Sequence, residues 1–91
     1  MNVQAAIEAF GTELRIQLIH YYWRNPGSQA DAARALDVNP RIVGLNVATL
    51  RDLGVLVQEP GQDGRSSSHT VDAKRVAALR AALTAYLTPP D

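Results

Sequence analysis

The chain has 91 residues, enough for a single domain, and 46% of them are apolar, as in ordinary globular proteins. It contains no cysteine, which excludes disulfides and zinc–thiolate sites. Nine basic and nine acidic residues give a formal net charge of zero, which argues against a non-specific polyanion binder.

No apolar run approaches the roughly 20 residues that a membrane-spanning helix needs. The first residues lack the basic start and apolar core of a secretory signal. We therefore expect a cytoplasmic protein with no membrane partner. A domain of this size buries only about two-thirds of its unfolded surface, so pairing with a second copy would add stability.

The N-terminal part predicts two helices. The first covers Val3–Phe10, and Thr12 is placed to cap a second helix that runs to about Arg24 and ends at Pro26. The second helix has a wide apolar face, which predicts burial on more than one side. Its apolar positions are Leu14, Ile16, Leu18, Ile19, Tyr22 and Trp23.

Two further helices follow with a short turn between them. Ser28, with an acidic residue three positions later, resembles a capping box that opens a helix over Gln29–Leu36. Asn39 followed by Pro40 starts the next helix, which runs to about Leu53 and is ended by a glycine. The positions expected to face inward are Ala32, Ala33, Leu36, Val43, Val47 and Leu50.

The last third of the chain changes from helical to extended periodicity and back. Val55–Glu59 and Arg65–Val71 are predicted strands, and the five residues between them have the composition of a hairpin turn. Asp72 is placed to cap a final helix over Ala73–Leu87.

A short helix, a turn of about three residues and a second helix have the spacing of a helix-turn-helix. A hairpin directly after such a unit makes a winged helix. The predicted fold is therefore mainly α with a small β-hairpin: one winged helix-turn-helix domain over residues 1–91. Its parts are the helix-turn-helix at 28–53, the wing at 55–71 and a C-terminal helix at 72–87.

This arrangement predicts binding to double-stranded DNA, because the second helix of such a unit lies in the major groove. Arg41 can pair with guanine or phosphate, and small or apolar neighbours can contact thymine methyl groups or allow close approach. The predicted DNA-binding residues are Ser28, Gln29, Asn39, Arg41, Ile42, Gly44, Leu45, Ala48 and Arg51, with Arg65, Ser66 and Ser67 in the wing.

The chain also resembles ArsR-type winged-helix repressors. The stretch Phe10–Ile19 is similar to the family's opening motif, and Leu50–Leu56 is similar to its closing Leu-Arg-x-x-Gly-Leu pattern. The resemblance implies a sequence-specific transcriptional regulator, a repressor, that binds an inverted repeat as a homodimer. It also implies that the first and last helices form the dimer, through Val3, Ile7, Phe10, Val76, Leu79, Leu83, Tyr86 and Leu87.

Three features depart from the family or fall outside it. Asp37 stands where a turn glycine is usual, which is tolerable because aspartate enters the left-handed region at modest cost. Neither His20 nor His69 has an acidic neighbour at metal-ligand spacing; His20 is expected to be packed or partly exposed, and His69 to face solvent or touch phosphate. We predict no metal, no cofactor and no enzymatic activity.

Two other functions remain compatible with this sequence. A plasmid partition adaptor, or another architectural DNA-binding protein, can use the same fold. A winged helix can also serve as a protein-interaction module, which the zero net charge and the apolar Ile42 and Leu45 make conceivable.

Overall fold

The computed structural model of the chain describes residues 3–60 and 67–91. Four helices precede a two-stranded antiparallel hairpin, and one helix follows it. Leu56 pairs with Val71 and Gln58 pairs with His69 across the hairpin. The elements are α1 (Val3–Phe10), α2 (Glu13–Arg24), α3 (Gln29–Leu36), α4 (Pro40–Asp52), β1 (Leu56–Pro60), β2 (Ser67–Val71) and α5 (Ala73–Leu87).

Short polar side chains begin the helices as predicted. The Thr12 hydroxyl accepts a hydrogen bond from the Arg15 N–H (3.2 Å), and an Asp72 carboxylate oxygen accepts one from the Arg75 N–H (3.0 Å). Each bond satisfies one of the backbone donors that a helix leaves unpaired in its first turn. The caps therefore fix where α2 and α5 begin.

The core lies between all five helices and the start of the hairpin. Its largest fully buried apolar side chains are Leu18, Tyr22, Val43, Val47, Leu50, Val55, Leu56 and Leu79. The prediction that α2 is buried on more than one side is wrong, because Ile16 is 50% exposed and Trp23 is 48% exposed. Only one face of α2 meets the core.

One arginine joins three helices. The Nε of Arg15 donates to Asn46 Oδ1 (3.0 Å), and its Nη1 donates to the Glu8 carbonyl (2.8 Å). These bonds connect α2 to α4 and to α1. The arginine of the opening motif therefore holds α4 in place from behind.

The strand bounds differ slightly from those predicted. The first strand begins and ends one residue later than expected, with Pro60 at its end, where a missing N–H costs least. The second strand is described from Ser67 onward, and the predicted first positions of that strand, Arg65 and Ser66, lie outside the described residues. None of the described helices combines the length and apolarity needed to cross a bilayer.

The turn between α3 and α4 uses the left-handed conformation expected of it. Asp37 has φ 54° and ψ 49°, its N–H bonds to the Arg34 carbonyl, and the Val38 N–H bonds to the Ala33 carbonyl. This pair of bonds is the Schellman pattern that usually contains glycine. The turn therefore carries a small backbone strain.

Replacing Asp37 with glycine is expected to raise the free energy of unfolding by about 0.5–1 kcal/mol, because glycine removes the strain of a left-handed residue. Asp37→Ala keeps that strain without a local polar side chain, so it is the control and should destabilise the protein. Urea denaturation of the variants and the wild type measures both changes. A glycine variant less stable than the wild type would contradict this account.

Candidate nucleic-acid interface

The start of α3 is fixed by two side chains. The Ser28 hydroxyl accepts a hydrogen bond from the Asp31 N–H (3.1 Å), as the predicted capping box requires. From below, the Tyr22 hydroxyl donates to the Ser28 carbonyl (3.0 Å). Ala32 and Ala33 are buried, and their small side chains let α3 approach its neighbours closely. The first turn of α3 therefore has a well-defined position beside α4.

Helix α4 is held at both ends. Asn39 Oδ1 accepts from the Arg41 N–H (2.8 Å), and Pro40 occupies the first helical position. At the other end Gly54 has φ 80°, and its N–H bonds to the Arg51 carbonyl in a second Schellman pattern. Arg75 Nε donates to the Leu53 carbonyl (2.8 Å), which is favourable at the negative end of a helix dipole.

The two faces of α4 differ in burial, as the sequence predicted. Its inward side chains, Val43, Val47 and Leu50, are fully buried. Outward, Arg41 is exposed, Ile42 is 48% exposed and Leu45 is 64% exposed. Among the other predicted contact residues, Asn39 is exposed and Ser28, Gln29, Gly44, Ala48, Arg51 and Ser67 are half-buried.

One polar side chain beside this edge is already hydrogen-bonded, and a second lies close to the helix backbone. Asn46 accepts from Arg15 and donates from its Nδ2 to the Ile42 carbonyl (2.9 Å), so it belongs to the support of α4. A Cβ at Gly44 would lie 3.1 Å from Gln29 Oε1. The space at Gly44 therefore admits the Gln29 side chain from α3.

The hairpin is tied to α4 by a chain of polar side chains. Arg51 Nη1 donates to Gln58 Oε1 on β1, and Gln58 Nε2 donates to the Ser67 hydroxyl on β2. Two of the predicted contact residues, Arg51 and Ser67, are thereby brought into one network. Arg65 and Ser66 lie outside the described residues.

The expectation that His69 faces solvent is wrong. Its side chain is buried and packs against the Tyr22 ring, with ring centroids 5.8 Å apart. The reason is a short bridge between β2 and the segment before α3: the His69 N–H bonds to the Gly27 carbonyl (2.7 Å) and the Gly27 N–H bonds to the His69 carbonyl (3.2 Å). The bridge holds this face of β2 against α2.

Burial lowers the pKa of His69 below its ordinary value of 6.5, because a charged ring loses its hydration there. The backbone of Gly27 partly opposes this shift, and the positive charge of Arg51 adds to it. Both ring nitrogens are buried without a hydrogen-bond partner. The folded protein therefore favours the uncharged imidazole.

The free energy of unfolding is expected to fall as the pH is lowered through 6.5. The folded pKa lies below the unfolded one, so between the two values the unfolded chain binds more protons and stability rises with pH. The slope is at most about 1.4 kcal/mol per pH unit for one group. Urea denaturation from about pH 5 to about pH 8 measures it. His69→Phe should lose this dependence, whereas His20→Gln, at the exposed histidine, should keep it; equal profiles for wild type and His69→Phe would contradict the assignment.

The residues predicted to form a dimer fall into two groups. Val76 and Leu79 are buried in the core of the single chain, so they offer no surface to a second copy. Ile7 is 49% exposed, Tyr86 67% and Leu87 70%. The remaining members of the set, Val3, Phe10 and Leu83, are half-buried.

No protein-family model and no curated protein matches the chain. Solved structures do. An ArsR family transcriptional regulator superposes with a TM-score of 0.76 at 16% identity, covering 94% of this chain and 92% of that one. HlyU from Vibrio cholerae gives 0.73 at 17% identity, covering 94% and 91%. A mutant of ZitR from Lactococcus lactis gives 0.68 at 14% identity, covering 82% and 52%. The winged helix-turn-helix fold and its likeness in fold to ArsR-type regulators are confirmed.

Proposed function

We propose that this protein is a sequence-specific DNA-binding transcriptional regulator, a repressor, that acts as a homodimer on an inverted repeat. The observation that carries the proposal is the exposed edge of α4 that begins at Arg41. The helix is fixed from behind by buried apolar residues and Arg15, while Arg41, Ile42 and Leu45 on its first outward turns are exposed. A single helix of this kind fits the B-DNA major groove, which is about 12 Å wide.

Base reading in this proposal depends on few side chains. Arg41 is the cation that α4 places on the exposed edge, and we assign it to a guanine or to the adjacent phosphate. Ile42 and Leu45 are placed to contact thymine methyl groups. Because Asn46 is engaged with Arg15, much of the specificity would come from DNA shape.

The homodimer is supported by the apolar side chains that α1 and α5 leave at the surface. Ile7, Tyr86 and Leu87 are each about half or more exposed, and the two helices pack against one another in the protomer. Covering these side chains in a two-fold interface would remove apolar surface from water. The two α4 helices would then enter successive major grooves roughly 34–36 Å apart.

The test begins with selection of bound duplexes from a random pool. An inverted repeat is the expected product, whereas clustered tandem repeats would favour a partition adaptor.

Arg41→Ala is then expected to weaken binding to the best duplex by about 1–3 kcal/mol. Arg24→Ala, which removes an exposed cation at the end of α2, is the charge-matched control and should bind as the wild type does. Unchanged affinity in the Arg41 variant would show that α4 is not the reading helix.

A protein-interaction module is the second candidate function, favoured by the exposure of Ile42 and Leu45 on the same edge. Apolar side chains grouped on one helix face often mark a protein contact. In that case no duplex would shift even at low salt, and a complex with a protein would be insensitive to salt. Both outcomes differ from those expected of a DNA-binding protein.

A further inference from the structure

Arg15 joins the first helix of the chain to the helix that carries the exposed edge. Helix α1 packs against α2 and α5, whereas α4 packs against α2, α3 and β1, so α2 is a neighbour of both. From α2, Arg15 Nη1 donates to the Glu8 carbonyl of α1 (2.8 Å), and Arg15 Nε donates to Asn46 Oδ1 of α4 (3.0 Å). One side chain therefore links α1 to α4 across α2.

An arginine is well suited to this position. Its planar guanidinium carries five donors in a rigid arrangement, so it can bond to two acceptors at once. The Glu8 carbonyl belongs to the last turn of α1, where carbonyls lack partners within the helix and a positive charge is favourable. Arg15 and Asn46 are both half-buried, and hydrogen bonds to a charged group are stronger than neutral ones. The two bonds therefore restrict how far α4 can move relative to α1.

The link continues from Arg15 to the exposed edge of α4. Asn46 Nδ2 donates to the Ile42 carbonyl (2.9 Å), one turn earlier in the same helix. Ile42 is 48% exposed and directly follows Arg41, the residue that we assign to a base or a phosphate. The position of Arg15 is therefore transmitted to the first turns of α4 through a single side chain.

At its other end the link reaches the surface that we assign to the homodimer. Glu8 directly follows Ile7, whose side chain is 49% exposed and would be covered in the proposed interface. In a two-fold dimer the same patch of both subunits forms the contact, so α1 takes the same position in each. A side chain that fixes α4 relative to α1 then also fixes the two α4 helices relative to one another.

We propose that Arg15 and Asn46 are positioning residues that determine which spacing between two half-sites the dimer accepts. The inference rests on the proposed DNA-binding function and adds a source of specificity that makes no contact with DNA. A dimer reads two half-sites only when its reading helices match their separation. One added base pair moves a half-site about 3.4 Å along the duplex axis and about 34–36° around it.

A purely structural role for Arg15 predicts a different result. If the arginine only completed the end of α1, its loss would weaken binding to every duplex in the same proportion. If it fixes α4 relative to α1, its loss lets the two reading helices adopt a wider range of separations. Binding to the selected spacing then weakens more than binding to neighbouring spacings, so the ratio of these affinities distinguishes the two roles.

The test uses the selected duplex and two derivatives, with one base pair added or removed at its centre. The wild type is expected to bind each derivative at least about tenfold more weakly than the selected duplex. Arg15→Met, which keeps an unbranched side chain and loses the donors, should reduce this ratio to about threefold or less. Arg24→Met, which removes an exposed arginine at the end of the same helix, is the matched control and should keep the wild-type ratio.

Asn46→Ala interrupts the same link from the side of α4. Alanine is favourable in a helix and Asn46 is only half-buried, so this variant should fold even where Arg15→Met does not. It should reduce the spacing ratio as Arg15→Met does, and the double variant should reduce it no further, because either change alone interrupts the link. Thr49→Ala, which removes a similar bond to the Leu45 carbonyl one turn earlier (3.1 Å), is the matched control and should keep the wild-type ratio.

A second measurement needs no DNA. The chain contains no cysteine, so Leu45→Cys places one nitroxide label on the exposed edge of each subunit. Double electron–electron resonance should give one narrow distribution of distances between the two labels of the dimer. The distribution should broaden when Arg15→Met or Asn46→Ala is added, and it should stay narrow with Thr49→Ala.

The outcomes separate this inference from the function on which it rests. A dimer that binds the selected duplex, with the same spacing ratio and the same distance distribution in the wild type, Arg15→Met and Asn46→Ala, would overturn the inference alone. A wild type that binds all three spacings equally would also overturn it. Absence of DNA binding, or a monomeric protein, would overturn the proposed function and the inference with it.

Discussion

Replacing Leu45 with glutamate is expected to lower affinity for the selected duplex by at least about 100-fold, the largest effect of any surface change considered. A carboxylate would enter the groove between two phosphate backbones, and like charges brought together at an interface cost several kcal/mol. The Leu45 side chain is 64% exposed and contributes little to core packing. The free energy of unfolding should therefore change by no more than about 0.5 kcal/mol. Fluorescence anisotropy with a labelled duplex and urea denaturation measure the two quantities.

Leu45→Gln is the matched control, because it has a similar size and carries no charge. It should lose only the contact with thymine methyl groups, which is a modest effect beside that of glutamate. If both variants bind DNA as the wild type does, this edge of α4 does not enter the groove. The exposed Leu45 would then favour a protein partner.

The helix boundaries were predictable because residues that are close in sequence determine where each helix begins. Thr12, Ser28, Asn39 and Asp72 each cap the helix that follows, through a hydrogen bond to a backbone N–H two or three residues further along the chain. The left-handed turn at Asp37 is local in the same sense. Capping and turn residues can be recognised in a single sequence, which is why the order of elements was predicted correctly.

The environment of His69 could not be predicted in that way. The β2 strand carries serine and threonine on both faces, so its alternation does not show which side meets the core. The side is decided by the bridge to Gly27 and by the Tyr22 ring, and these contacts join residues that are 42 and 47 positions apart in sequence. No periodicity within the strand contains that information.

The candidate interface shows the same division between local and long-range information. The exposed edge of α4 follows from its helical period, and the sequence predicted it. The engagement of Asn46 depends on Arg15 in another helix, and the contact of Gln29 with Gly44 depends on how closely α3 and α4 approach. The sequence therefore predicted the exposed edge of α4. The contacts of Asn46 and Gln29 beside that edge could be seen only in the three-dimensional structure.

Tyr22 connects the core to the first turn of α3. Its ring is fully buried and lies between Tyr21 and His69, at centroid distances of 5.3 and 5.8 Å. Its hydroxyl bonds to the carbonyl of Ser28, the capping residue of α3. One side chain thus supports both the start of α3 and the buried His69 ring of β2.

Tyr22→Ala is expected to lower the free energy of unfolding by about 3–5 kcal/mol, because it removes a large ring from a packed core. Tyr22→Phe is the matched control: it keeps the ring and loses one hydrogen bond, so about 1 kcal/mol is expected. The Ser28 carbonyl still accepts from the Ala32 N–H in that variant, which keeps the cost small. If Tyr22→Phe were as destabilising as Tyr22→Ala, the hydroxyl rather than the ring would hold α3. Denaturation measured at several pH values near neutrality should show the same difference throughout, since a phenol with a pKa of about 12 stays uncharged there.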